Sequence, residues 1–358
     1  MSWFQTTTPL KMTGVTLLAG AVGAVLGWAA NAPVYMLLGP ALAVSLTGLS
    51  GVGTALDHRL RDVCFVVLGV VVGSGFNDEA LAAMLRWPLA FVFLALVIWA
   101  IMVACRGLLV RLFGFDRRSA LLASAPGHLS FVIAMAGETG TDVARISITQ
   151  SVRLLSLTLV VPFVAIAMGI DVSGTLAPPG AAMAAPAILV VLVLSVCAGL
   201  VFQWLSLPAP LLLGAMVVSA GGHMSGLVPG VLPGWMVLPA YLVLGSLIGT
   251  RFSGVTFAHL TSGLAAGVAG TLVAVTLAGL GALPVAWALG MPVAHVLIAF
   301  APGGLETMIA MGVVLGVVPG FVVACHIARL LVLTVLLPAM LGRAEKRRQS
   351  PEDFKGTP

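Results

Sequence analysis

An all-α integral membrane bundle is the fold class this sequence predicts, and three observations predict it. Of 358 residues, 60% are hydrophobic and 8% charged, and the mean hydropathy is +1.15. A water-soluble domain carries roughly 25% charged residues, so this chain has no polar shell for water to wet. The apolar runs are continuous rather than alternating with period two, which excludes an outer-membrane β-barrel. The third observation is that the chain repeats itself.

Sliding the sequence along itself gives one dominant offset, about 176 residues. Ala125 to Phe163 aligns with Ala301 to Ala339 over 39 residues without a gap, and 14 are identical. Leu and Ala would match by chance, but not Pro126 with Pro302, Gly127 with Gly303 and Arg153 with Arg329. Upstream, Leu68-Gly69-x-x-x-Gly73 matches Leu244-Gly245-x-x-x-Gly249, and Pro33 with Leu37-Leu38-Gly39 matches Pro208 with Leu212-Leu213-Gly214. The chain therefore divides into a first repeat (1–176), a second repeat (177–342) and a polar tail (343–358).

The first apolar run, Gly14 to Ala30 after Lys11, ends on Ala30-Asn31-Ala32 and imitates a signal peptide. Its counterpart near Ala187 to Trp204 lies mid-chain, so both read as retained helices. In the first half the segments fall near 14–30, 33–50, 62–76, 87–113, 119–137 and 143–170. In the second they fall near 185–205, 209–226, 236–252, 261–281, 292–316 and 320–341. The fifth of each set is interrupted by Pro and Gly.

Basic residues set the orientation. Arg59 and Arg61, then Arg106, Arg111, Arg117 and Arg118, then Arg343, Lys346, Arg347 and Arg348 are all cytoplasmic if the N-terminus is inside. Six crossings per half would make parallel repeats, five inverted ones. Arg251 and the Lys- and Arg-free loop around Asp171 favour five, hence inverted repeats with a broken or re-entrant fifth segment. The expected location is a bacterial cytoplasmic (inner) membrane, multi-pass, with both termini cytoplasmic.

The net charge of +5 thus reports orientation, and no nucleic acid is expected as a partner. Cys64, Cys105, Cys197 and Cys325 sit singly in apolar runs, without the spacing of a disulfide frame or a zinc site. No cofactor or metal is expected. Spacings such as Gly23-x-x-x-Gly27, Gly69-x-x-x-Gly73, Gly245-x-x-x-Gly249 and Gly263-x-x-x-Gly267 suit close helix packing and permit a homodimer.

Pro126-Gly127 and Pro302-Gly303-Gly304 break their helices, because Pro removes a donor and Gly frees the dihedrals. Paired breaks in corresponding positions of two repeats point to a transporter's substrate site; the plainer explanation is a packing kink. Arg153 and Arg329 lie about ten residues into apolar segments, where a charge costs roughly 2.5–3.5 kcal/mol and implies a partner. Gln150 and His326 precede them by one turn, on the same face. His128 stands where the other half has Gly304, and Glu306 where it has Ser130. These residues suggest a central anion site flanked by helix N-termini, with Glu306 and His326 as handles for H⁺ or Na⁺. The competing explanation pairs Arg329 with Glu306, and Arg153 with Glu138 or Asp142, as structural ion pairs. His58, His223, His259 and His295 read as loop or edge residues.

Two Leu-Gly-x-x-x-Gly modules, Ala301-Pro302-Gly303-Gly304-Leu305-Glu306-x-Met308 and the His326-x-x-Arg329 helix together resemble the bacterial AbrB duplication membrane family, over nearly the whole chain. The first copy departs from that pattern at His128, Ser130 and Gln150. The resemblance implies a multi-pass inner-membrane protein, variously labelled ammonia monooxygenase, transporter or regulator of gene expression. The layout is also similar to the glutamate symporter architecture, at the level of fold alone.

An enzyme is not expected, since the sequence has neither a His/carboxylate cluster at ligand spacing nor a dinucleotide fingerprint. A DNA-binding regulator would need a reading domain that short loops do not supply. The expectation is a secondary transporter of a small, anionic metabolite, without an ATP-binding P-loop. The alternative is a membrane sensor that affects gene expression indirectly.

Overall fold

The sequence's apolar runs become fourteen α-helices among the residues described by a computed structural model, 10–76, 87–127, 129–169, 180–255 and 257–346. Each half supplies seven. The first half gives α1 (Leu10–Ala29), α2 (Tyr35–Leu49), α3 (His58–Gly73), α4 (Trp87–Phe113), α5 (Arg117–Ser124), α6 (Leu129–Glu138) and α7 (Val143–Ala167). The second gives α8 (Ala185–Trp204), α9 (Pro210–Met224), α10 (Gly234–Gly249), α11 (Phe257–Leu289), α12 (Val293–Phe300), α13 (Leu305–Val314) and α14 (Pro319–Lys346). Seven of them are long and apolar enough to cross a membrane by length and composition, and the protein is a multi-pass membrane protein.

Some boundaries differ from those read in the sequence. Arg59 and Arg61 belong to the first turn of α3, which Asp57 caps by accepting from the Arg59 amide, rather than to a loop. Helix α11 runs through Pro284 to Leu289, and α14 extends through Arg343 to Lys346, into the stretch read as tail. Residues 347–358, the Asp171 loop and His128 lie outside the described residues.

Helix directions follow from close approaches at glycine. Methyl groups on Gly27 and Gly23 of α1 would strike Tyr35 and Gly39 of α2, an antiparallel hairpin. Gly245 abuts Leu37 and Pro40, Gly249 abuts Val44, and Gly48 abuts Phe252, so α10 runs parallel to α2. Likewise Gly69 abuts Leu212 and Gly73 abuts Met216, so α3 runs parallel to α9. The loop after α2 stays at the end where α2 stops, because the Thr54 amide donates to Ser253 Oγ at 2.9 Å. Three residues cannot carry the chain back across before α3 begins at His58. Helix α3 therefore opposes α2 and also opposes α10, its own counterpart in the second repeat. The halves are inverted repeats.

The same reasoning settles the Pro-Gly segments. Arg145, in the first turn of α7, donates to the carbonyl of Phe113 at 2.5 Å and stacks 3.8 Å over the Phe115 ring, both at the end of α4. The chain from α5 to α6 thus leaves and returns on one face, a re-entrant hairpin. At about 1.5 Å per residue, its arms of 8 and 10 residues reach about half of a 30 Å hydrocarbon core. Helix α11 lies antiparallel to α4, through Cys105 with Gly270 and Val97 with Gly281, and parallel to α7, through Gly263 with Ile148 and Gly267 with Val152. Trp87 at the start of α4 packs edge-on against Phe321 at the start of α14. The α12–α13 hairpin therefore enters from the opposite face. Each half thus has one re-entrant hairpin and five helices that run between the two faces of the bundle. Of these, α2, α3 and α9, at 15, 16 and 15 residues, are shorter than the seven long enough to cross by themselves.

These directions gather charge. Lys11, Arg59, Arg61, Arg106, Arg111, Arg117, Arg118, Arg145 and Arg251 all lie toward one face, with the end of α14; among the described residues the other face carries no Lys or Arg. The outward surface is apolar, and Trp28, Trp204, Trp235 and Trp287 are exposed near helix ends, where indole rings suit the lipid interface.

The repeats interlock rather than sit side by side. One bundle combines α1, α2 and α3 with α8, α9 and α10; the other combines α4 to α7 with α11 to α14. The duplicated Gly-x-x-x-Gly modules dock the first, since Gly69 and Gly73 seat α3 on α9 while Gly245 and Gly249 seat α10 on α2. Gly23, Gly27, Gly263 and Gly267 also pack helices within this chain, so none of these motifs is left over as support for a homodimer.

Candidate functional site

Proline shapes both breaks. A residue before proline is driven out of the helical region, and Ala125 (ψ 121°) and Ala301 (ψ 130°) both turn extended, ending α5 and α12. Their carbonyls swing off the helix axis; the Gly303 amide donates to Ala301 O at 2.8 Å, and a carbonyl oxygen keeps a second lone pair for another donor. A helix C-terminus already carries orphan carbonyls and about half a negative charge, so each break presents an acceptor cluster inside the membrane.

The arginines answer those clusters. Arg329 donates from Nη1 to Ala301 O and from Nη2 to Gly303 O, both at 2.7 Å. Arg153 donates from Nη2 to Ala125 O at 2.7 Å and to Gln150 Oε1 at 2.5 Å, with Ser124 O at 3.5 Å from Nη1. Gln150 completes the first cradle by donating from Nε2 to Leu122 O at 3.0 Å and Ala125 O at 3.1 Å. Both guanidiniums are buried, at 4% and 1% exposure. Among the described residues neither reaches a carboxylate; Glu138 is exposed, and Asp142 caps α7 by accepting from the Arg145 amide. The ion pairs considered from the sequence are replaced by carbonyl contacts.

The two breaks meet. Gly127 (φ +90°) faces the Arg329 guanidinium of the other repeat, and a methyl group there would lie 2.8 Å from Nη2. Gly304, the N-cap of α13, lies beside Leu154, one residue after Arg153. Pro126, Gly127, Gln150, Arg153, Pro302, Gly303, Gly304 and Arg329 thus form one junction about ten residues into α7 and α14. Glu306 is in the first turn of α13, partly accessible and, among the described residues, without a hydrogen-bond or ionic partner, where the helix dipole favours a carboxylate. His326 is fully buried; its Nδ1 lies 2.9 Å from Val322 O in its own helix, while Nε2 has no partner. Its counterpart Gln150 bonds the neighbouring arginine, but His326 does not.

Positive charge therefore exceeds negative among the described residues of the junction, where both arginines face the first break, Arg153 at Ala125 O and Arg329 at Gly127. An apolar cleft between α7, α11 and α12, lined by Leu157, Val161, Ala165, Leu297 and Ile298, runs to Ala301. It holds about 20 Å³, room for one water molecule and far less than a metabolite needs. Sequence reasoning missed Leu122, Ser124, Ala125 and Ala301, whose backbone oxygens do the bonding. The signal was available in Pro126 and Pro302, which dictate where the preceding carbonyls turn.

Two comparisons bear on this geometry. A family model described as "Transition state regulatory protein AbrB" matches residues 36–344. A protein of Bacillus subtilis (strain 168) described as "Uncharacterized protein YhjN" is 26% identical over 349 residues, covering 92% of this chain and 88% of its own length.

Proposed function

This chain belongs to the AbrB family, and from its junction of inverted re-entrant hairpins we propose that it is a secondary transporter of a small, anionic metabolite. The observation that carries the reading is Arg329. It lies at mid-membrane where hairpins from opposite faces meet, buried, against the break of the other repeat and without a carboxylate partner. Paired breaks of this kind serve as substrate sites in inverted-repeat transporters, with half-helix N-termini facing anionic groups. Here α6 and α13 begin directly after the breaks.

Alternating access needs two bodies, and the interlocked bundles provide them. They meet chiefly through α3 and α10 against α7, α13 and α14, so rocking one against the other would expose the junction to each face in turn. Glu306, unpaired beside the second break, is the group suited to carry a coupling proton. The positive-inside rule favours a cytoplasmic basic face, with both ends of the described chain on the cytoplasmic side of a bacterial inner membrane.

A second reading, a membrane sensor acting on gene expression indirectly, is favoured by the regulatory description of the family. It would use the same junction without moving its ligand.

The test is thermal unfolding of the detergent-purified protein against small organic acids, amino acids and neutral amines, repeated on Arg329→Ala. A ligand of the folded state raises apparent stability by mass action. Stabilisation by one anion class that vanishes in the variant supports the site. Indifference to every anion, or a shift by neutral compounds that survives the substitution, rejects it.

A further inference from the structure

We infer that Arg153 and Arg329 are tethered cations, seated in carbonyl cradles that a dissociable alkali cation would otherwise fill, so that the carrier works without Na⁺. The cradles stand on the geometry alone; Na⁺-independent transport rests also on the transporter reading.

In inverted-repeat transporters, unwound carbonyls and half-helix C-termini coordinate Na⁺, while N-termini face the substrate. Both breaks here have that construction, since α5 and α12 end on extended residues whose oxygens point into the membrane interior. Ala125 O, Ala301 O and Gly303 O each take a side-chain donor, and Ala301 O also accepts from the Gly303 amide at 2.8 Å. Ala301 O and Gly303 O each lie 2.7 Å from Arg329, and Ala125 O lies 2.7 Å from Arg153 and 3.1 Å from Gln150. The device is duplicated, because the arginine reaches back 28 residues to the pre-proline carbonyl in both halves.

A guanidinium is always charged and spreads its donors in a fixed fork, so one side chain can satisfy two diverging carbonyls as a bare ion does. Unlike an ion it cannot leave. Na⁺ entering either cradle would have to displace a tethered donor and face a charge of its own sign in a poorly solvated site. The fixed charges also keep the junction positive through the whole cycle, which suits an anion rather than Na⁺ as the ion that comes and goes there.

The experiment measures unfolding temperatures of the full-length protein in detergent, at constant ionic strength, in choline, K⁺ and Na⁺ chlorides and with added methylguanidinium. Wild type is expected to show one temperature in all three salts. Arg329→Ala is expected to unfold at a lower temperature in choline and to recover saturably with millimolar methylguanidinium or with Na⁺. Arg329→Gln, which keeps a donor for one carbonyl, should recover less because it starts higher. A saturable rise of wild type in Na⁺ would overturn the inference, as would variants that respond to neither cation. If neither variant folds, the wild-type comparison decides alone. The anion screen is run in choline buffer so that the two ideas separate. Recovery of the variants without any anion shift retains the cradles and removes the transporter, whereas an anion shift that requires Na⁺ does the reverse.

Discussion

Arg329 lies against the main chain of Gly127, a residue of the opposite repeat: a methyl group on that glycine would fall 2.8 Å from Nη2 and 3.0 Å from Cζ and Nε. One contact therefore ties the helix that follows the second hairpin to the break in the first. A site divided between inverted repeats needs such a link, because neither half alone surrounds a substrate.

Gly127→Ala should be doubly disruptive. The backbone at φ +90° strains an L-residue by about 1–3 kcal/mol, and the methyl displaces Arg329. A lowered unfolding temperature together with loss of the anion shift is expected. Gly137→Ala, on the same hairpin with open space around it, should be neutral or slightly stabilising in the same assay.

The interlock of the repeats can be tested through glycines far from the junction. Methyl groups on Gly69 and Gly245 would meet the backbone oxygens of Leu212 and Leu37, which cannot yield as a flexible side chain does. Gly69→Ala and Gly245→Ala should each destabilise by about 1–3 kcal/mol. Gly107→Ala, where nothing lies within 4 Å, should change little. Equal stability of all three variants would contradict the cross-repeat docking.

Asp116 gives a pH-dependent prediction at the basic face. Burial alone would raise its carboxyl, but the Arg118 and Ser119 amides, each donating at 3.0 Å, more than offset that and leave it lowered. A carboxyl lowered by folding stabilises the protein fully above the ordinary carboxylate range, and that stability is lost as pH falls through the lowered value. Asp116→Ala should lose about 1 kcal/mol near neutral pH and show a shallower acid limb of unfolding temperature against pH.

Much of this architecture was legible in the sequence, and for physical reasons. Helices in lipid must be long and apolar, so the segments could be counted. A buried Arg is so unfavourable in hydrocarbon that Arg153 and Arg329 declared themselves by depth. Pro126 and Pro302 located the breaks because nothing else removes a donor so decisively. What could not be read was pairing. Leu37 and Leu212 offer chemically equivalent apolar faces, so the exchange that puts α10 on α2 and α3 on α9 leaves no compositional trace. The arginines' partners were hidden because they are backbone oxygens, which every residue carries, and carboxylates such as Glu138 were the visible candidates although α7 turns Arg153 toward Ala125.

Glu306→Gln isolates proton coupling from substrate binding. With the carboxylate in the first turn of α13 and unpaired among the described residues, the variant should still be stabilised by the anion, while transport loses its response to an imposed pH gradient. Transport with an unchanged pH response would remove Glu306 from that role.

The most direct measurement is counterflow. Proteoliposomes preloaded with the anion that stabilises the protein are diluted into a trace of the same anion, labelled, in Na⁺-free buffer. The account predicts label accumulation well above protein-free vesicles, absent when Arg329→Ala is reconstituted. Folded wild type that binds the anion in detergent yet accumulates no label would contradict transport and identify the junction as a sensor's binding site.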